Sequence, residues 1–427
     1  MKVLLCAYAC IPDRGREEGF GWNNAIQIAK LGHEVWVITL NAAKCLENPQ
    51  SNMPNLHFVN VAYPILKHVP EGRYKYLHFL RYFAWKVKAE QVALKLDKEH
   101  NFDIVHHITI ASLQGGPLFT NLSKPLVFGP IGGGQTAPAN FKKYFFKSWS
   151  DETLRSFINL QVMRLNPFLR KALDRCDLVL ATNKDTVELS RKMTAKNTEL
   201  FLDSGLPPEY FANEPPQRQE SSELRLLWLS RVEARKGLFL ALEALSKVNP
   251  EVPFKLTIIG DGSLDSHVSQ WIEQFNLETK VDYLGSRPWT EVQDAYLNND
   301  VFLFTSLRDS YGSVLLEAMS QALPIITLDH QGARDFVPKE GSIKVPVTNP
   351  EETVIGLAQA VEYMYKNPDK RLEMGRVNYE FAKQQAWNNK AVAISKYYEK
   401  ILQADSETAT KKTSLTKTVN SKFSINK

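Results

Sequence analysis

Residues 301–327 read VFLFTSLRDSYGSVLLEAMSQALPIIT, and this stretch decides the fold. Residues 301–305 form a short run of β-branched and aromatic residues that stops at a polar loop, the pattern of a buried strand. The loop ends on Gly312. From Ser313 to Gln321 the apolar residues Val314, Leu315, Ala318 and Met319 recur at helical spacing. A second apolar run at 324–327 is the next strand. Strand, loop, helix, strand is the repeating unit of a parallel α/β sheet.

Outward from this unit the same alternation continues. Strands are expected at 225–229, 255–259 and 281–284, with a helix over 237–248. The first half repeats the pattern, with strands at 2–7, 34–39, 103–107, 126–128 and 178–181. Helices are expected over 22–31, closed by Gly32, and from Gly72 to about Glu99. Residues 211–222, FANEPPQRQESS, have two prolines and no apolar period, and read as a linker between two domains of the same class. The expected organisation is a first domain over 1–213, a second over 214–385, a helix over 386–403 packing back on the first domain, and a Ser/Thr/Lys-rich disordered tail over 404–427. The fold class is α/β, with two doubly wound parallel sheets facing each other across a cleft.

Composition narrows the function classes. With 427 residues, 44% hydrophobic and 23% charged, the chain has the profile of a soluble multidomain protein. No apolar run is long enough to span a bilayer, and the short apolar start runs straight into a Pro-Gly-charge loop, so a cytoplasmic location is expected. Cys6, Cys10, Cys45 and Cys176 are scattered without metal-ligand spacing and are expected as free or buried thiols. A net charge of +5 admits anionic partners without naming one, and no nucleic-acid partner is expected.

Two loops at strand carboxyl ends carry the chemistry. After 225–229 come Arg231, Arg235 and Lys236. Arg231 can fork onto phosphate oxygens, and Lys236 adds a point charge beside a helix start. A solvated basic turn is the plain alternative. After 301–305 come Asp309, Ser310, Tyr311 and Gly312, then the helix start at Ser313 and Val314, whose N–H groups suit a phosphate. Asp309 and Glu317 accept hydrogen bonds only, which suits pairs of sugar hydroxyls.

Taken in order, Arg231…Lys236, Ile259-Gly260-Asp261-Gly262 and Asp309-x7-Glu317 resemble the retaining glycosyltransferases of family 4. The N-terminal half adds Gly19-Phe20-Gly21-Trp22, Asp103-Ile104-Val105-His106-His107, Gly129-Pro130-Ile131-Gly132-Gly133-Gly134 and Asp203-Ser204-Gly205. The resemblance implies the GT-B fold, two Rossmann-like domains with the donor on the second and the acceptor on the first. It implies that Arg231 and Lys236 bind the donor diphosphate, that Glu317 binds the ribose, and that Asp309 contacts the transferred sugar. Asp309 stands where the family usually carries Glu, one methylene longer, which bears on donor choice or rate. It further implies donor contacts from Gly260, Gly262, Arg287, Ser310, Tyr311, Gly312, Ser313 and Val314. Gly19 and Gly21 would let the first loop approach donor phosphates or acceptor, or simply form a tight turn. A family histidine near the sugar has two candidates here. Adjacent strand residues point to opposite faces, and His107 is the one expected to face the cleft, with His106 in the core.

The activity implied by the resemblance is transfer of a sugar, with retention, from a UDP- or GDP-sugar to a glycan or lipid-linked acceptor in polysaccharide or glycolipid biosynthesis. No cofactor and no obligatory metal are expected, since no D-x-D occurs in a strand-end loop. Residues 73–88 and 141–149 interleave bases with aromatics, which suits an anionic membrane at the inner face of the plasma membrane or a lipid-linked acceptor; core-packing helices with outward bases are the alternative. Two other functions remain: a non-catalytic nucleotide-sugar binder of the same fold, and a Rossmann-type oxidoreductase. The second lacks the third glycine of its fingerprint, since Asn24 occupies that position.

Overall fold

The computed structural model describes residues 1–63, 75–110, 112–195, 197–212, 214–218 and 221–423, without the side chains of 16, 75–79 and 408–423. Thirteen strands lie in two sheets among the described residues. The first holds β1 (Lys2–Cys6), β2 (Glu34–Thr39), β3 (Leu56–Asn60), β4 (Ile104–His107), β5 (Leu126–Ile131), β6 (Leu178–Ala181) and β7 (Thr198–Leu200), in the order β3-β2-β1-β4-β5-β6-β7. The second holds β8 (Leu224–Leu229), β9 (Phe254–Ile259), β10 (Val281–Gly285), β11 (Val301–Phe304), β12 (Ile325–Leu328) and β13 (Ser342–Val345), in the order β10-β9-β8-β11-β12-β13. Every pairing between these strands is parallel.

Helices cover both faces of each sheet's centre, so β4, β6, β11 and β12 are buried at every residue. That burial is why those strands read as unbroken apolar runs. Strand order reverses between β1 and β4 in one sheet and between β8 and β11 in the other. A reversal leaves a crevice beyond the strand carboxyl ends, where open α/β sheets take ligands. Arg231 follows β8 and Asp309 follows β11, so the basic loop and the acidic loop border one crevice.

The chain crosses between domains twice. On the first crossing Leu202 and Leu206 already pack with Leu227, Phe304 and Leu315 of the second domain. Arg218, inside the stretch read as a linker, sends its guanidinium to the carbonyls of Asn299 (2.6 Å), Ala322 (3.2 Å), Tyr296 (3.4 Å) and Gln321. On the return, the Trp387–Phe423 helix lays Ala391, Ile394 and Tyr398 into the first-domain cluster of Val3, Leu5 and Val127. That helix continues through the stretch expected as a disordered tail as far as Phe423.

Two expectations are corrected. The first long helix begins at Arg16, so Gly19 and Gly21 lie inside it and not in a loop over the donor. Their lack of a side chain serves packing: a Cβ would lie 2.0 Å from the Arg14 carbonyl oxygen at Gly19 and 2.2 Å from that of Ala9 at Gly21. The aromatics of 141–149 do not face a bilayer. Phe141, Tyr144 and Phe145 are buried in the second domain's core, and Phe146 stacks on Trp271 with ring centroids 5.4 Å apart. Tyr144 donates to Glu243 (2.9 Å), and Lys143 pairs with the same carboxylate (3.0 Å). This segment is a strap from the first domain onto the second. Of residues 73–88, Tyr82 and Trp85 are buried while Leu80, Phe83 and Val87 are exposed; positions 73 and 74 and the side chains of 75–79 lie outside the described residues.

Candidate active site

Hydrogen bonds stitch the loop after β8 to the loop after β11. Leu307 N–H donates to the Arg235 carbonyl (2.8 Å), and the Ser306 hydroxyl donates to the same oxygen (3.2 Å). The Thr305 hydroxyl donates to the Gly237 carbonyl (2.9 Å) and accepts from the Trp228 indole (3.2 Å). With the loops in this register, the Lys236 ammonium donates directly to the Asp309 carboxylate. Burial pushes Asp309 up, but Lys236 and then Arg235 outweigh it and hold the carboxyl below its usual range. Burial lowers Lys236, and Asp309 opposes that shift.

A cleft of about 640 Å³ lies over this pair. Arg231, Lys236, Gly260, Arg287, Asp309, Ser310, Gly312, Ser313 and Val314 all line it. Arg231 is well exposed and pairs with Glu233 at 2.9 Å. Arg287 pairs with Glu291 at 3.4 Å. Gly312 has φ +98°, and a Cβ there would lie 2.9 Å from the Phe304 ring, so the residue opening the Ser313–Ser320 helix has to be glycine. The start of that helix therefore faces the cleft without a side chain in front of it.

Three of the expected donor residues stand behind this wall. Tyr311 is buried edge-on against Phe336. Gly262 sits under the Val232 carbonyl, 2.5 Å from where its Cβ would be. Glu317 lies one turn along the helix, half-buried, and accepts a hydrogen bond from the Tyr296 hydroxyl (2.9 Å).

The first domain contributes Glu17, Phe20 and Asp203 to the same cleft. Glu17 gave no signal in the sequence, because RGREEG reads as a solvated charged loop. Its Oε2 accepts from Ile110 N–H (2.5 Å), and burial raises its pKa. Burial likewise raises Asp203, whose Oδ1 accepts from the Ser204 hydroxyl (2.9 Å).

His107 is a correction. It is fully buried, stacks on Phe128, meets the Thr109 carbonyl through Nε2 (3.1 Å) and accepts from Leu118 N–H through Nδ1 (3.2 Å). His106 is buried too, between the Tyr398 hydroxyl (2.6 Å) and the Gly129 carbonyl (2.7 Å). Neither ring lines the cleft, because the cleft lies beyond the strand ends and both faces of this central strand are covered. Residues just past the strand end, Ile108 and Thr109, reach cavity space instead.

The Asp309 loop is also tied to the first domain. Arg308 pairs with Glu152 at 2.6 Å, and Asn183 donates to the Ser310 carbonyl at 3.2 Å. Gln331, buried with φ +50°, accepts from Asp309 N–H (2.8 Å) and donates to the Thr136 carbonyl (2.6 Å). Among the described residues no three His, Cys, Asp or Glu side chains gather as a metal site.

Comparison with known proteins agrees with this architecture. Residues 211–381 match the family described as Glycosyl transferases group 1. The chain is 25% identical over 221 residues to the phosphatidylinositol N-acetylglucosaminyltransferase GPI3 subunit of Saccharomyces cerevisiae, covering 50% of this chain and 49% of that one. It is 29% identical over 134 residues to the putative colanic acid biosynthesis glycosyltransferase WcaL of Escherichia coli, covering 30% of this chain and 33% of that one. The chain thus spans about half the length, or less, of these curated relatives. In fold it is similar to sucrose-phosphate synthase of Thermosynechococcus elongatus (TM-score 0.64, 16% identity, 94% of this chain and 99% of that one). It is also similar to Anabaena HepE solved with UDP (TM-score 0.59, 17% identity, 92% and 99%). The two Rossmann-like domains thus stand in the GT-B arrangement, and it is the second of them that matches the glycosyl transferases of group 1.

Proposed function

We propose that this chain transfers a sugar, with retention, from a UDP- or GDP-sugar to a hydroxyl of a glycan or lipid-linked acceptor in polysaccharide or glycolipid biosynthesis. The observation that carries the proposal is the grouping of Arg231, Lys236 and the helix start at Gly312–Ser313 around one cleft at the second sheet's switch point. Breaking the anomeric C–O bond puts negative charge on the departing diphosphate. Fixed cations and N–H groups stabilise that charge as it develops. The acceptor oxygen bonds to the anomeric carbon on the same face, and its proton passes to the leaving phosphate oxygen. With positive charge supplied by side chains, no obligatory metal is required. In this reading Asp309 orients hydroxyls of the transferred sugar once the sugar competes with Lys236 for its carboxylate. The names of WcaL and of the GPI3 subunit support the reaction class, and the HepE complex supports UDP.

A thermal-shift screen against UDP-, GDP- and ADP-sugars tests the proposal. One of them is expected to raise the unfolding midpoint, and Arg231→Ala should abolish the rise. A flat response to all three refutes it. Stabilisation without hydrolysis or transfer would favour a non-catalytic binder.

The exposed Leu80, Phe83 and Val87 on the Lys75–His100 helix, with Lys88 beside them, favour peripheral contact with an anionic bilayer. Co-sedimentation with anionic liposomes should weaken as salt rises, and no binding at low salt removes this part of the reading.

A further inference from the structure

Beside the donor cleft a second cavity of about 220 Å³ opens on the first-domain side. It lies past the ends of β1, β4 and β5, at the β1/β4 reversal of that sheet's strand order. Glu17, Phe20, Asp203 and Ser310 line both spaces, so the two meet. Its charged groups are two carboxylates, Glu17 and Asp203, and one guanidinium, Arg155. Arg155 is engaged already, 3.6 Å from Glu152 and donating to the Gln135 carbonyl (3.3 Å). An anion entering here would meet two carboxylates and a cation committed elsewhere.

The remaining polar lining suits hydroxyls. Carboxylates accept O–H hydrogen bonds. The Asn24 and Gln114 amides each spend one N–H on a backbone carbonyl, of Phe20 (2.8 Å) and Gly133 (3.3 Å), and keep a second N–H and the carbonyl oxygen. The Thr109 and Ser112 hydroxyls, which accept from Ala9 N–H (3.2 Å) and Gly115 N–H (3.2 Å), can still donate. Phe20 offers an apolar ring at the junction for the C–H face of a sugar. We propose that this cavity is the acceptor subsite and that it takes a neutral, hydroxyl-rich glycosyl ring in preference to an acceptor bearing carboxylate or phosphate. The inference rests on the glycosyl transfer proposed above and narrows its acceptor.

The test is saturation-transfer NMR on the full chain with UDP present. The neutral probes are methyl α-glucoside, methyl α-mannoside and methyl β-galactoside; the anionic probes are L-malate and inositol 1-phosphate. At least one glycoside should receive saturation and neither anion should. Thr109→Trp, which fills the cavity, should remove the glycoside signal. Gln114→Leu, which keeps the volume and removes the amide, should weaken binding about tenfold. Neither residue lines the donor cleft, so UDP should bind both variants as it binds the original chain. Binding of malate or inositol phosphate without a glycoside overturns the inference. So does a glycoside signal unchanged in both variants, or no acceptor signal while UDP is bound. If neither UDP, GDP nor ADP binds, the donor reading fails first and this inference falls with it.

Discussion

At the residue scale, two cations given the same role differ in environment, and their variants should differ accordingly. Arg231 has 54% of its side chain exposed, and Lys236 has 10%. Arg231→Ala should lower turnover by about 10²–10³ and leave the unfolding midpoint nearly unchanged. Lys236→Ala should lower turnover comparably and also cost about 3 kcal/mol of stability, because it strands the Asp309 carboxylate without its closest counter-charge. Steady-state kinetics paired with urea unfolding checks both; equal stability losses would contradict the geometry. Arg231, Lys236 and Gly312 were legible because a cation, a helix start and a glycine at strand carboxyl ends have few other uses together. His107 was misplaced by treating the cleft as one face of a sheet, when it lies past the strand ends. Glu17 was invisible because a charged loop and a cleft wall have the same composition.

At the scale of elements, the loop holding Asp309 is set by a glutamine far along the chain. Gln331 reaches it from the helix after β12 while also holding Thr136 of the first domain, so one side chain joins the Asp309 loop to the opposite domain. Gln331→Leu should lower kcat about tenfold with little change in nucleotide affinity, since misplaced groups cost rate before they cost ground-state binding. Calorimetric titration with UDP beside kinetics checks this, and a proportional loss of both would make Gln331 merely structural. The first helix offers a second test. Gly19→Ala should destabilise by about 1–3 kcal/mol, because the new methyl meets the Arg14 carbonyl; an unchanged urea midpoint would mean that the Arg14 turn moves aside freely. The central strands and their helices were legible from apolar runs. The strands β3, β7 and β13 were not, since LHFVN, TEL and SIKV are short and mix polar with apolar residues as partly exposed strands do.

At the scale of the whole molecule, the Trp387–Phe423 helix ties the end of the second domain to the first, with Tyr398 on His106 inside the first sheet. Burial pushes His106 down to about 4 and His107 well down too. Above the unfolded value of 6.5 neither state binds the proton, and this stability is present in full. As pH falls from there toward 4, only the unfolded chain takes up the proton, so stability should drop by about 1.4 kcal/mol per pH unit for each histidine. Urea midpoints followed down the acid range should show this drop, and His106→Gln should flatten part of it; a parallel profile in the variant would contradict the assignment. By itself the sequence determined the α/β class, the alternation of two such patterned halves and the cations at the second sheet's strand ends, because strand and helix periods and strand-end loops are local patterns. The tertiary structure alone decided that the 141–149 aromatics pack into the opposite domain, that the histidines are walled off, that Gln331 ties the Asp309 loop to Thr136, and that Glu17 reaches the cleft. Those outcomes depend on which surfaces meet when two separately patterned domains dock, and no local period in the chain encodes that.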